Sequence, residues 1–320
     1  MKILKTTIMA MAAVMATISF TACSNDNDAA NEITTPKYEN DAKKFDIKND
    51  SELQSIELTA SGNYVVMTKA NNATTRANEN MKYSALVTPW KAETRAGNYV
   101  SGNVTYGSYT KNEDGSYYLE GYGTIYISAD GEGDVSITVK RGSTTKTIRA
   151  SVVVNKIEGA MADKLCRTWN IVGYKMVLKY KDQELLNVEG KFLSDLYKNF
   201  SAKWKHSGYW DGEDMGEEPS DEELTEIDNL SPLSVVFSKC GTYVVLYKNK
   251  MIGVAHWNWK SEVNFIFHYS WDNNFAADVV GDAKLEFSDD NKLYIIESLE
   301  RISNDMSSGI YTYTILEEAK

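Results

Sequence analysis

His206, His256 and His268 are the only three imidazoles in the 320-residue chain, and Cys23, Cys166 and Cys240 are its only thiols. At the right spacing these residues would hold a metal or carry nucleophilic catalysis. A zinc site needs four ligands at tetrahedral geometry. His256 and His268 fall on neighbouring predicted strands and point outward, with no cysteine or carboxylate at ligand spacing, so no metal is expected. The chain contains no His-Glu-x-x-His, no Gly-x-Ser-x-Gly elbow and no glycine-rich phosphate loop. Gly121-Tyr122-Gly123 opens a strand rather than a helix and reads as a turn. Asp130, Glu132 and Asp134 alternate in a glycine-rich turn that offers oxygen ligands for calcium, but hairpin turns use the same residue types. A glycosidase needs two carboxylates in a cleft; the 45 acidic residues supply many candidates, and their spacing singles out none. The expectation is a non-catalytic protein without a cofactor.

Cys23 is the exception, because its neighbours give it a chemistry. Lys2 and Lys5 precede an apolar stretch from Ile8 to Phe20, and small residues follow. This is the pattern of a secretory signal, too short and too interrupted for a membrane-spanning helix. Phe20-Thr21-Ala22-Cys23 resembles the lipobox of bacterial lipoproteins, with phenylalanine where leucine is usual. The resemblance implies removal of residues 1–22, a diacylglyceryl thioether on Cys23 and an outer-membrane lipid anchor, since two or more acyl chains hold a protein stably. The following Ser24-Asn25-Asp26-Asn27-Asp28 is similar to the acidic export signal of Bacteroidota surface lipoproteins, which implies display at the cell surface. The alternative is a solvated tether on the periplasmic face. Residues 23–46 are polar and aperiodic and read as that tether.

Composition limits the partners. Without the signal, 32 basic residues face 45 acidic ones, a balance of −13. Nucleic acid is therefore excluded as a partner, because phosphate binding needs clustered Lys and Arg. With 20 Tyr and 7 Trp, and with frequent Thr and Val, the roughly 275 remaining residues favour strands and fill two domains. If Cys23 is acylated, Cys166 and Cys240 are left as the one candidate disulfide.

The elements follow from periodicity. Residues 47–156 read as an N-terminal antiparallel β-domain. Its strand signals lie around Tyr64, at Tyr83 to Trp90 and at Tyr99 to Tyr109. A hairpin follows with Val135, Ile137 and Val139 on one side, and a last strand carries Ile148, Ala150, Val152 and Val154. From Trp169 the chain alternates as a long strand. Leu185, Phe192, Leu193, Leu196, Phe200 and Trp204 then recur at helical spacing, predicting a helix over 187–205. A run with ten acidic residues between Asp211 and Asp228 completes an insertion over about 187–230, and Ser220 and Glu223 form a capping-box pattern in it. Seven short strands follow, from Leu233 to Leu316. With the Trp169 strand they make an eight-stranded meander, the number that closes into a barrel wide enough for one small ligand. The fold class is all-β.

The pieces "LCRTW", "VVFSKCGTYVV", "GVAHWNW", "KLEFSDDNKLYIIE" and "YTYTIL" make residues 163–320 similar to the lipocalin-like domains of Bacteroidota lipoproteins. Arg167-Thr168-Trp169 stands where lipocalins usually carry Gly-x-Trp. The resemblance implies a barrel and leaves the ligand open.

The strand faces then nominate a site. With a three-residue turn after Trp259, Trp257 and Trp259 face Phe265 and Val263, while Phe267, Tyr269 and Trp271 continue the same side. That side is the barrel interior, either a solid core or an aromatic-lined pocket for a small hydrophobic or glycan ligand. The helix ending in Trp204 lies over the mouth as a lid or a permanent closure. If the interior is solid, the surfaces are left to contact a protein partner.

Overall fold

A computed structural model describes residues 35–69, 92–95, 98–101, 103–131, 133–154, 157–180, 183–206, 219–270, 281–303 and 306–319. It contains two closed eight-stranded antiparallel barrels in sequence, with few helices. Cys23, Trp271, Glu132, the predicted strand at Tyr83 to Trp90 and residues 211–218 of the acidic run fall outside the described residues.

The first barrel uses β1 (Lys43–Ile47), β2 (Leu53–Leu58), β3 (Asn63–Thr68), β4 (Ala92–Arg95), β5 (Asn98–Ser101), β6 (Val104–Lys111), β7 (Tyr117–Leu119), β8 (Gly123–Ala129), β9 (Asp134–Arg141) and β10 (Thr144–Val153). The ring runs β3-β2-β1-β10-β9-β8-β7-β6 and closes where β3 pairs with β6, with the β5-β4 hairpin as an extension. Alternation sets its interior: Ile148 opposite Ile137, Ala150 opposite Val135, Phe45 opposite Ile56, all buried. Three expectations change here. The tether ends before residue 46, because Phe45 and Ile47 enter the core from a strand held between β2 and β10. The strand predicted from Tyr99 to Tyr109 is two, β5 ending at Ser101 and β6 starting at Val104 and pairing back on it. Val154 lies past the end of β10 and is exposed.

The second barrel begins with α1 (Ala160–Leu165), followed by β11 (Thr168–Tyr180), β12 (Gln183–Gly190), α2 (Leu193–His206) and α3 (Asp221–Asn229). Then come β13 (Pro232–Phe237), β14 (Thr242–Tyr247), β15 (Ile252–Ser261), β16 (Ile266–Ser270), β17 (Gly281–Phe287), β18 (Lys292–Ser303) and β19 (Met306–Glu318). β11 and β13 to β19 form the predicted eight-stranded meander, closed by β11 against β19. The helix predicted to start at Asn187 starts at Leu193 instead. Leu186 and Val188 alternate into the core opposite Leu178 and Met176, so residues 183–190 form a hairpin with β11. Only the later part of the helical pattern is helix. The predicted capping box is present: Ser220 Oγ accepts the Glu223 amide at 3.3 Å and Glu223 Oε2 accepts the Ser220 amide at 3.0 Å.

The barrels dock through faces that would otherwise meet water. Val65, Val104 and Tyr106 of the first pack with Val236, Val244 and Ile252 of the second, and all six are buried. Ser61 Oγ accepts the Thr168 amide at 2.8 Å, the Thr168 hydroxyl donates to Asn63 at 3.0 Å, and Lys239 pairs with Glu39. Inside this contact, Thr242 Oγ1 donates to the Glu57 carboxylate at 2.6 Å, with Lys44 Nζ 3.9 Å from the same oxygen.

Candidate functional site

Of the nominated aromatic residues, Trp257, Trp259, Phe267 and Tyr269 share the interior of the second barrel, but in a different register. Trp259 lies opposite Phe267 and Trp257 opposite Tyr269. The turn spans Glu262 to Phe265, which leaves Val263 89% exposed and Phe265 with φ of 54°. Pairing has moved by four residues, an even number, so every side chain keeps its predicted face. Trp257, Phe267 and Tyr269 are fully buried, while Trp259, Phe265 and Trp204 are half-buried against the same cluster.

These rings pack on one another. Phe237 lies edge-on to Trp257 and Phe267, both at 5.5 Å between centroids, and Trp257 lies edge-on to Trp259 at 5.4 Å. The Trp257 indole donates to the Ser238 carbonyl at 2.9 Å, and Trp169 likewise to Leu165 in α1 at 2.9 Å. This end of the barrel is an aromatic core closed by α1. Edge-to-face pairs add to area burial.

Polar groups stand further along the interior, and strand alternation nominates only Tyr269 and Trp259 among them. Glu297 follows Leu293 and Ile295 on the inward face of β18, and its carboxylate accepts the Tyr269 hydroxyl at 2.9 Å. Tyr243 points inward from β14, is 0% exposed, and its hydroxyl has no hydrogen-bond partner among the described residues. Burial, and next the nearby Glu297 charge, push Tyr243 and Tyr269 well above the ordinary phenol range, so both keep their protons at neutral pH. The Tyr174 hydroxyl donates to the Pro232 carbonyl at 2.9 Å. The Trp259 indole N–H is a second interior donor without a partner among the described residues. A buried hydroxyl left unpaired costs about 1–3 kcal/mol, so native interiors rarely keep one.

The helical insertion borders this region. Leu193, Leu196, Phe200 and Trp204 repeat along one face of α2 and pack on the barrel core. From the same helix Asn199 Nδ2 donates to the Glu189 carbonyl at 2.7 Å and Lys203 Nζ to the Asn187 carbonyl at 2.5 Å, covering the outer edge of β12. That protects an edge strand that would otherwise invite pairing. Helix and β12 are thereby one unit.

The remaining candidates are engaged elsewhere. Asp130 pairs with Arg149 at 3.1 Å and Asp134 with Lys48 at 2.6 Å, so the two described carboxylates of the three in the suspected calcium turn serve ion pairs. His256 and His268 are on the outer face, one pair apart, and His268 and Lys260 both contact Asp282. Burial raises the Asp282 carboxyl, but these two hydrogen bonds outweigh it and hold the group below its ordinary value. No cluster of three or more metal-binding side chains occurs among the described residues. Cys166 and Cys240 are both buried free thiols. Among the described residues no helix is long and apolar enough to cross a membrane.

Comparison with known protein families, with curated proteins and with solved structures gives no significant match for this chain.

Proposed function

We propose that this chain is a lipid-anchored, non-catalytic binding protein whose second barrel takes up a small, largely apolar molecule. The Tyr243 hydroxyl carries this reading. It is a fully buried donor without a partner among the described residues, near the Tyr269–Glu297 pair, in a largely apolar interior. A ligand that reaches it satisfies a group the protein leaves unpaired. The anchor is Cys23, and the acidic run behind it favours the cell surface over the periplasmic face.

The test is a thermal-shift screen of the chain from Cys23 onward against flat apolar molecules and glycans. A ligand specific for the folded state adds about 2.7 kcal/mol at a hundred times its dissociation constant. A hit lost in Tyr243→Phe supports the reading. Silence throughout supports the second one, in which both barrels are solid and their surfaces meet a protein partner. The edge-to-face rings around Trp257 favour that alternative. For the anchor, Cys23→Ala is expected to abolish incorporation of labelled fatty acid, and retained label overturns it.

A further inference from the structure

We infer that α3 is a hinged flap at the rim of the second barrel, clamped by Lys248, while α2 is a fixed part of the wall. As an entrance the flap serves the binding reading above; as a moving element it stands without it.

Strand pairing shows where the flap sits. β19 runs along one edge of β11 from Trp169 to Tyr180. β13 and β12 therefore share the other edge, β13 at Thr168 to Asn170 and β12 at Tyr174 to Tyr180. The chain leaves this line after Gly190 and rejoins it at Pro232. The ring of β11 and β13 to β19 closes through pairings that include neither helix, so motion of a helix breaks no ladder in it.

The two helices are held differently. α2 approaches β12 so closely that a Cβ on Gly190 would stand 2.3 Å from the Leu196 amide nitrogen. Leu196 is 1% exposed, and Asn199 and Lys203 donate to carbonyls of β12. Moving α2 thus exposes core and strips an edge strand, both of them costly. α3 buries no residue. Among the described residues the apolar cluster takes Leu230, just past the end of α3, and neither Leu224 nor Ile227. Few buried contacts and exposed backbone bonds mark a segment that opens on its own.

What fixes α3 gathers at its C-terminal end. Lys248, in the turn after β14, forms an ion pair with Asp228. The same ammonium stands 4.4 Å from the centroid of the Phe192 ring, just before α2. Ser194, in the first turn of α2, donates to Asp228 at 3.4 Å. The Lys248 and Asn249 amides donate to the Ser231 and Asn229 carbonyls at 2.9 and 3.1 Å. These backbone bonds make residues 229–231 the hinge, and Lys248 sets its angle by gripping both ends of the insertion.

The test is hydrogen exchange read by mass spectrometry on the chain from Cys23 onward, without ligand and corrected for intrinsic rates. Amides of α3 are expected to exchange at least about tenfold faster than those of α2. Lys248→Met removes the ion pair and the ring contact, and should speed α3 about fivefold while α2 keeps its rate. Asp228→Asn should act in the same direction. Salt near 1 M, where the screening length is about 3 Å, should speed α3 in the wild type and leave Lys248→Met unmoved. A common rate for α2 and α3 overturns the flap. Unchanged α3 exchange in a folded Lys248→Met protein overturns the clamp, and the inference with it. Neither outcome depends on a ligand, so silence in the thermal-shift screen overturns the binding reading and leaves the flap standing.

Discussion

The Tyr269 ring lies across the backbone of Gly281, its cross-strand partner, and that placement lets its hydroxyl reach Glu297. A Cβ built on Gly281 would stand 2.0 Å from Tyr269 Cζ. This glycine is required by a close approach and not by a turn. Gly281→Ala must push the ring aside, and overpacking of this kind costs about 1–3 kcal/mol. Urea unfolding should register that loss, and ligand affinity should fall with it. Wild-type stability in Gly281→Ala would mean that the ring has another resting place.

Between the barrels, Thr242→Val should be costlier than its conservative shape suggests. Valine keeps the volume but removes the hydroxyl that donates to Glu57 at 2.6 Å, and the Glu57 side chain is only 2% exposed. The other carboxylate oxygen of Glu57 already lacks a partner among the described residues. Stripping a buried charged acceptor of its donor costs about 1.5–3 kcal/mol. Because the site sits within the docked surfaces, the melt of the variant should split into two transitions where the wild type shows one. A single transition at an unchanged midpoint would show that the pair contributes nothing.

How much of this was readable beforehand depended on what each pattern averages over. Alternation at Val135, Ile137 and Val139 states which face is inside, and both the strands and the eight-stranded closure of the second barrel follow from such patterns. The even register error at Trp259 did no harm to the predicted faces, because side chains repeat every two residues. Residues 185–188 were misread because Leu186 and Val188 are consistent with either period over so short a span. Docking of the barrels left a legible trace: Tyr64-Val65-Val66, Val235-Val236-Phe237 and Val244-Val245 are apolar without alternation, the mark of strands covered on both faces. Glu297 escaped notice for a different reason. It is one of 45 acidic residues, and only the inward phase of Leu293 and Ile295 distinguishes it.

Acid should weaken the first barrel through Asp50. Its side chain is 2% exposed, ion-paired with Lys146, and accepts the amides of Leu53 and Glu52, both at 2.8 Å. The Lys146 contact, aided by these amides and opposed by burial, lowers its pKa from 3.8 to about 2. A depressed folded-state value means that the stabilisation is complete above the unfolded pKa near 4 and drains away as pH falls toward 2. Its size is up to about 2 kcal/mol. Asp50→Asn should therefore be less stable at pH 7 and show a flatter decline between pH 4 and 2 than the wild type. Parallel acid limbs in the two proteins would remove Asp50 from the account.

The two internal thiols should be chemically silent until the second barrel opens. Cys166 and Cys240 are buried, and each is shifted upward by that burial, Cys240 to about 12 and Cys166 well above its ordinary value. Thiolate is the reactive form, so at pH 8 a group with pKa near 12 presents about one part in ten thousand of it. Iodoacetamide should leave both unmodified in the folded protein and alkylate both in denaturant, with the rate in intermediate urea following the opening of the barrel. Their neighbourhood makes the readout local: Cys166 follows α1, and Cys240 lies in the turn whose Gly241 carbonyl receives the Trp257 amide at 2.9 Å. Rapid labelling of Cys240 alone in native buffer would show that this turn detaches before the rest. Absence of both thiols from the denatured, unreduced protein would instead reveal a disulfide between them.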